Sequence, residues 1–189
     1  MIDTRGIIKK LEGDVDGFNI RQLREKEVRE FIRGKGLKYK RKENLSGKFR
    51  GLTFTKFRKF KAEPNPKLSF NLPVGPSEIH IDKNLNEPMR VYAAMHELCH
   101  ALYHRNELEP DGTTTAQCEF QANVVGVLAV IPTREIILLS NQNNLIDIPF
   151  LVKRYKVDED VAKFRLTDIV LAISHEKFAE LLGIPLRSH

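Results

Sequence analysis

Apolar and polar positions along the chain change period twice. In "NIRQLREKEVREFIRGKG" the apolar residues Ile20, Leu23, Val28, Phe31 and Ile32 fall largely on one side of a helix, with Asn19 placed as N-cap and Gly34 or Gly36 as its stop. The segments "LKYKR", "FRGLTF", "KLSFNL" and "SEIHID" are short β-type runs parted by the breaks "AEPNP" and "PVGP", and they predict a small sheet of three or four strands. From Pro88 the helical period returns: Met89, Tyr92, Ala93, His96, His100 and Tyr103 recur at spacings of three and four. This predicts one helix over about 87–104 and a second from about Thr115 to Ile131, ended by Pro132, after which Thr133 can cap "REIILLS". "PFLVKRYK", "DEDVAKFRL" and "DIVLAISHEKFAELLG" predict a helical tail. The expected fold is α+β: a small sheet packed on helices 87–104 and 115–131, forming a domain over 1–140, with a small helical tail over 141–189.

Composition bounds the class. With 189 residues, 41% of them hydrophobic, the chain can bury a core of its own. The longest apolar run, "VVGVLAVI" at 124–131, is far short of the ~20 residues a membrane span needs, and the N-terminus has no apolar export segment. The expectation is a soluble, cytoplasmic protein with no membrane partner, in which Cys99 and Cys118 are reduced thiols.

The net charge of +6 is uneven: residues 33–67 hold 13 Lys and Arg against Glu43 and Glu63, leaving the rest of the chain acidic. Aromatic residues Tyr39, Phe49, Phe54, Phe57 and Phe60 interleave with these charges, a pattern that can hold nucleic acid. The plainer reading is a set of solvated strand edges whose lysines block aggregation, so at most weak DNA contact is expected through 33–67.

One stretch carries chemistry: "HELCHALYH", His96 to His104. Residues four apart on a helix differ by roughly 40° in azimuth and ~6 Å along the axis, so His96 and His100 can share one ion. Catalytic zinc takes three protein ligands and keeps one position open. Glu97, about 100° round from His96, is placed for a general base beside that position. His104 lies ~12 Å up the helix from His96, too far to ligate the same ion, and is left as a supporting residue. A third ligand from a glycine break and a further histidine is excluded, because Tyr103 and Asn106 occupy those positions. What remains is Glu119, 19 residues beyond His100, returned by an antiparallel helix, with Asn123 one turn on as a hydrogen-bond partner for a ligand histidine. Cys99, inside the motif, reads as a small residue packed against a neighbouring element.

"SEIHID", "MHELCHALYH" and "EFQANVVGVLAVIP" resemble the strand, the HExxHxxxH helix and the Glu-x-x-Ala-Asn helix of the ImmA/IrrE metallopeptidases, over roughly Ser77 to Pro132. The tail "LVKRYKVDEDVAKFRL" is similar to a segment that reads in that family like a helix-turn-helix. The resemblance implies a zinc endopeptidase with a gluzincin-like site, in which His96, His100 and Glu119 hold Zn2+, or Mn2+, and Glu97 is the base. It implies a protein substrate, a helix-turn-helix transcriptional repressor cut at one site. Two departures stand out: Cys99 where glycine or another small residue is common, and Gln121 where a second glutamate is frequent. Tyr92, Tyr103, Tyr155, Arg134, Arg165 and His175 are candidates for a second oxyanion donor. The alternative is a DNA- or protein-binding regulator with a structural zinc site, against which the intact Glu97 argues.

Overall fold

The computed structural model describes residues 4–43, 51–61, 69–104, 116–142 and 145–167, and only the backbone of 52–61 and 69–77. Its first helix, α1 (Thr4–Asp14), lies in a segment to which the sequence pattern assigned no element; Ile7, Ile8 and Leu11 bury one face of it. Helix α2 (Glu25–Gly34) starts later than its pattern predicts. Glu27 closes its first turn by accepting from the Arg24 backbone N–H at 2.9 Å. Asn19, the expected cap, sits instead at φ 59° in the left-handed region, which asparagine tolerates. Its Oδ1 accepts from the backbone N–H of Thr133 at 3.0 Å. Asn19 therefore caps a helix distant in sequence, α5 (Thr133–Asn141), whose own N-cap position is held by Pro132 rather than Thr133.

Strands β1 (Lys38–Lys42), β2 (Gly51–Lys61) and β3 (Ser69–Asp82) form one sheet in the order β1-β3-β2, with β1 parallel and β2 antiparallel to β3. The runs "KLSFNL" and "SEIHID" are thus halves of a single strand, although "PVGP" lies between them. The register shows how the prolines are carried. Between Phe54 and Thr55 it slips from Glu78 to Pro76, and between Lys56 and Phe57 from Gly75 to Pro73. A proline has no N–H for a ladder, and irregularities of this kind are where a strand tolerates one.

Helix α3 (Glu87–Tyr103) opens with Asn86 accepting from the Met89 N–H at 2.9 Å and with Pro88 in the first turn. It is the central helix, packed on β2 and β3, on α2, and on α4 (Ala116–Val130). Met95, Leu98, Ala122 and Val125 share one core with Leu151, Tyr155, Val161 and Ala162 of α6 (Ile148–Tyr155) and α7 (Glu159–Arg165). The α+β class is the one the pattern predicts; the further helix expected in "DIVLAISHEKFAELLG" lies outside the described residues. Arg165 is buried, donating from Nε to the Ile131 carbonyl at 2.9 Å and from Nη2 to Thr133 Oγ1 at 3.1 Å, so α7 is tied to the α4–α5 turn. Burial lowers its pKa to about 10. Among the described residues no single helix is long and apolar enough to cross a membrane; α4 and α5 pass that test only as a pair, bent by 57°.

One buried carboxylate joins three elements. Glu25, 3% exposed at the start of α2, accepts from Arg41 of β1 at 2.6 and 2.7 Å, from Tyr39 of β1 at 2.7 Å and from Arg90 of α3 at 2.9 Å. Burial pushes its pKa up, but the hydrogen bonds from Arg41, Tyr39 and Arg90 outweigh it and leave the pKa below the usual 4.5. A depressed carboxylate contributes stability above its unfolded pKa and loses it as pH falls through the folded one. Glu25→Gln should cost about 2 kcal/mol in denaturant titrations at neutral pH, less than a wholly enclosed pair because Arg41 is half exposed, and the deficit should shrink below about pH 4. A loss that is independent of pH would mean the carboxylate's charge is not what holds these elements together.

Candidate metal centre

Helix α3 carries His96 and His100 one turn apart, and their Nε2 atoms lie 3.1 Å from each other. Glu119, in the first turn of α4, brings Oε2 to 3.5 Å from His96 Nε2 and Oε1 to 3.4 Å from His100 Nε2. A tetrahedral ion with bonds of about 2.0–2.1 Å holds its donors roughly 3.3–3.4 Å apart, so the three donors already have the spacing of three corners of a zinc site. Among the described residues this is the one group of three His, Cys, Asp or Glu side chains that converges so closely. Burial, followed by the neighbouring His96 and His104 rings, pushes His100 down to about 3, so its ring is neutral at physiological pH, as a metal ligand must be.

The approach of α4 to α3 depends on Gly126. A Cβ there would stand 3.0 Å from the Tyr92 ring and 3.0 Å from the Tyr92 carbonyl oxygen, a backbone atom that cannot rotate away. Tyr92 fills the space, and its hydroxyl donates to Asn123 Oδ1 at 2.7 Å. Glu119, Asn123 and Gly126, at i, i+4 and i+7, thus form the stripe of α4 that meets α3. The hydrogen bond that positions Asn123 is this one to Tyr92, where the spacing led us to expect one to a ligand histidine.

Next to His96 along α3, buried Glu97 lies against the sheet at Gly51, the first residue of β2. A Cβ on Gly51 would lie 2.8 Å from Glu97 Cγ and 3.3 Å from Oε1. Glycine therefore makes room for the carboxylate beside the histidines. Sequence pattern alone passes over Gly51 and Gly126, because each is required by a neighbour far away in the chain.

His104, at the C-terminal end of α3, is 1% exposed and sets Nδ1 3.0 Å from His100 Nδ1 and Nε2 2.8 Å from Gln121 Oε1. Gln121, wholly buried on α4, is a residue that sequence reasoning marked only as a departure from a family pattern. Cys99 is buried with its sulfur 4.0 Å from His104 Nε2, and burial holds its thiol far above the ordinary range, so it is an unreactive packing residue.

Of the candidate oxyanion donors, Tyr92 alone is placed by the described contacts beside a metal-centre histidine, its ring centre 6.2 Å from that of His96. Arg165 and Tyr155 have structural partners, Ile131 and Thr133 for the first and Glu135 at 2.9 Å for the second; Tyr103 lies under Lys10, and His175 is outside the described residues. In the described part of the basic segment, Lys35 pairs with Asp14, Lys38 and Lys40 with Glu78, and Arg41 with Glu25.

The model of the IrrE N-terminal-like domain, a peptidase family, matches residues 53–167. No curated protein matches the chain. Among solved structures, a Mycobacterium tuberculosis transcriptional regulator is similar with a TM-score of 0.46 and 14% identity, over 86% of this chain and 45% of that one. The chain thus spans less than half the length of that protein.

Elemental analysis of the purified chain should find about one Zn2+ bound, lost in His96→Ala and His100→Ala and strongly weakened in Glu119→Ala. Gly126→Ala should weaken zinc binding by about tenfold and cost on the order of 1–3 kcal/mol of stability, because the added methyl pushes Glu119 away from the histidines. Metal retained in the double histidine variant would place the site elsewhere.

Proposed function

The chain belongs to the IrrE N-terminal-like peptidase family, and from that premise we propose that it is a zinc-dependent endopeptidase that cuts a regulatory protein at a defined site. The observation that carries the proposal is the convergence of His96, His100 and Glu119 on one point, with Glu97, the residue after His96, buried against Gly51, whose missing side chain leaves it room. The donor set suits Zn2+ best, since two imidazoles and a carboxylate leave one position open; Mn2+ is the alternative that metal analysis separates.

When bound, zinc supplies a Lewis acid that brings the acidity of water to near neutral pH and polarises a carbonyl. The remaining steps belong to the chain. Glu97 takes a proton from the attacking water on its carboxylate and hands it to the departing amine, which resolves the two opposed demands of amide hydrolysis with one group. Its burial, with 9% exposure, keeps bulk water from competing for that proton. The substrate enters as an extended segment along β2, one of the two edge strands of the described sheet and the one that touches Glu97, because such an edge offers main-chain hydrogen bonds to any sequence. We infer a cytoplasmic site of action, in keeping with two buried free thiols, and a transcriptional repressor of the helix-turn-helix type as substrate. In the described part of 33–67, Lys35, Lys38, Lys40 and Arg41 are engaged with acidic side chains of the chain itself, which is in keeping with at most weak DNA contact through that segment.

The test is incubation with the repressor encoded beside its gene, with and without chelator. A defined fragment should form only with metal present. Glu97→Gln should keep zinc and lose activity by a hundredfold or more, and Gly51→Ala should keep zinc while lowering kcat, because its methyl displaces Glu97 and no ligand. A partner left whole at every metal concentration would favour a binding regulator with a structural ion.

A further inference from the structure

Three contacts run in line from the metal centre into α4: His96 Nε2 to His100 Nε2 at 3.1 Å, His100 Nδ1 to His104 Nδ1 at 3.0 Å, and His104 Nε2 to Gln121 Oε1 at 2.8 Å. We propose that Gln121 is a positioning residue that sets the tautomer of His104 and, through it, that of His100, so that the His100 Nε2 lone pair is open to the metal before the metal arrives. The inference rests on the reading of His96, His100 and Glu119 as a metal site.

The argument is one of hydrogen-bond polarity. A neutral imidazole has one N–H and one lone pair, so each ring in the line can pass polarity on in only one sense. The amide oxygen of Gln121 can only accept, which puts the His104 proton on Nε2. His104 Nδ1 is then a lone pair and accepts from His100 Nδ1–H. The His100 proton being on Nδ1, its Nε2 faces His96 and Glu119 as a lone pair. Were Gln121 to present its NH2 group, every step would reverse, and a proton would stand on the atom that must bind the ion. The polarity is protected because His104 is 1% and Gln121 0% exposed, leaving no bulk water to substitute for either partner. Gln121 is two residues from Glu119 on the same helix, so α4 delivers a ligand and the group that prepares another ligand together. A glutamate at 121 would impose the same polarity, and a leucine would impose none.

Nitrogen-15 spectra of the histidine-labelled full chain report the tautomers directly. In both the metal-free and the zinc-loaded protein His104 should carry its proton on Nε2 and His100 on Nδ1. Competition with a chromophoric chelator then gives zinc affinities. Gln121→Leu and His104→Phe should bind zinc roughly 10–100-fold more weakly than the parent chain, while Gln121→Glu binds it at least as tightly. An unmodified chain that binds no zinc defeats the metal-site reading itself. A chain that binds zinc but shows the His104 proton on Nδ1, or a folded Gln121→Leu with undiminished affinity, defeats the relay alone. Should Gln121→Leu fail to fold, the tautomers of the unmodified chain decide the matter.

Discussion

The distance between α3 and α4 is the constraint on which the rest of the site depends. Two donors come from one helix and the third from another, and no local rule of helix geometry makes the second helix approach. The stripe Glu119, Asn123 and Gly126 does so: glycine at the crossing lets backbone meet the Tyr92 ring and carbonyl, and the Tyr92–Asn123 hydrogen bond fixes the register one turn from Glu119. A residue of ordinary size at 126 would separate the helices at their crossing, and a carboxylate withdrawn by even an ångström no longer spans the corner of a tetrahedron.

Helix α3 is enclosed on both sides, and each side has its own chemistry. Toward α4 it turns His96, His100 and His104; toward the sheet it turns Glu97, which fits because Gly51 has no side chain. A helix so enclosed cannot shift to improve one side without spoiling the other, which is the physical meaning of preorganisation here. Its position is further held from below by Glu25, whose carboxylate binds α2, β1 and the Arg90 of α3 together. Arg41 of β1 thereby acquires a structural explanation that composition alone did not supply.

Burial gives the polar groups of the site their character. Desolvation keeps His100 neutral, raises the Cys99 thiol out of the reactive range, and removes the water that would otherwise blur the donor and acceptor roles of His104 and Gln121. The same removal of water makes each unsatisfied group expensive, so the line of contacts from His100 to Gln121 has to be complete to be tolerated.

Much of this was legible in the chain itself. The helical period around His96 and His100, the glutamate between them and the apolar helix carrying Glu119 are local patterns, and local patterns are what side-chain spacing encodes. The α+β order of elements followed for the same reason. What could not be read was whatever one segment supplies to another. Asn19 looked like the cap of its own helix and caps Thr133; two strands parted by "PVGP" are one, because β2 offsets the prolines by slips of register; Ile7, Ile8 and Leu11 make too short a stripe to announce a helix. Gly51 and Gly126 look like any other glycine until the Glu97 carboxylate and the Tyr92 ring lie against them, and Gln121 reads only as a departure from a family pattern until His104 is folded onto it. Sequence determined which groups could bind a metal and move a proton, because that is a property of residue type and spacing; tertiary structure decided where they meet and in which tautomer, because close approach and hydrogen-bond polarity exist only between segments brought together.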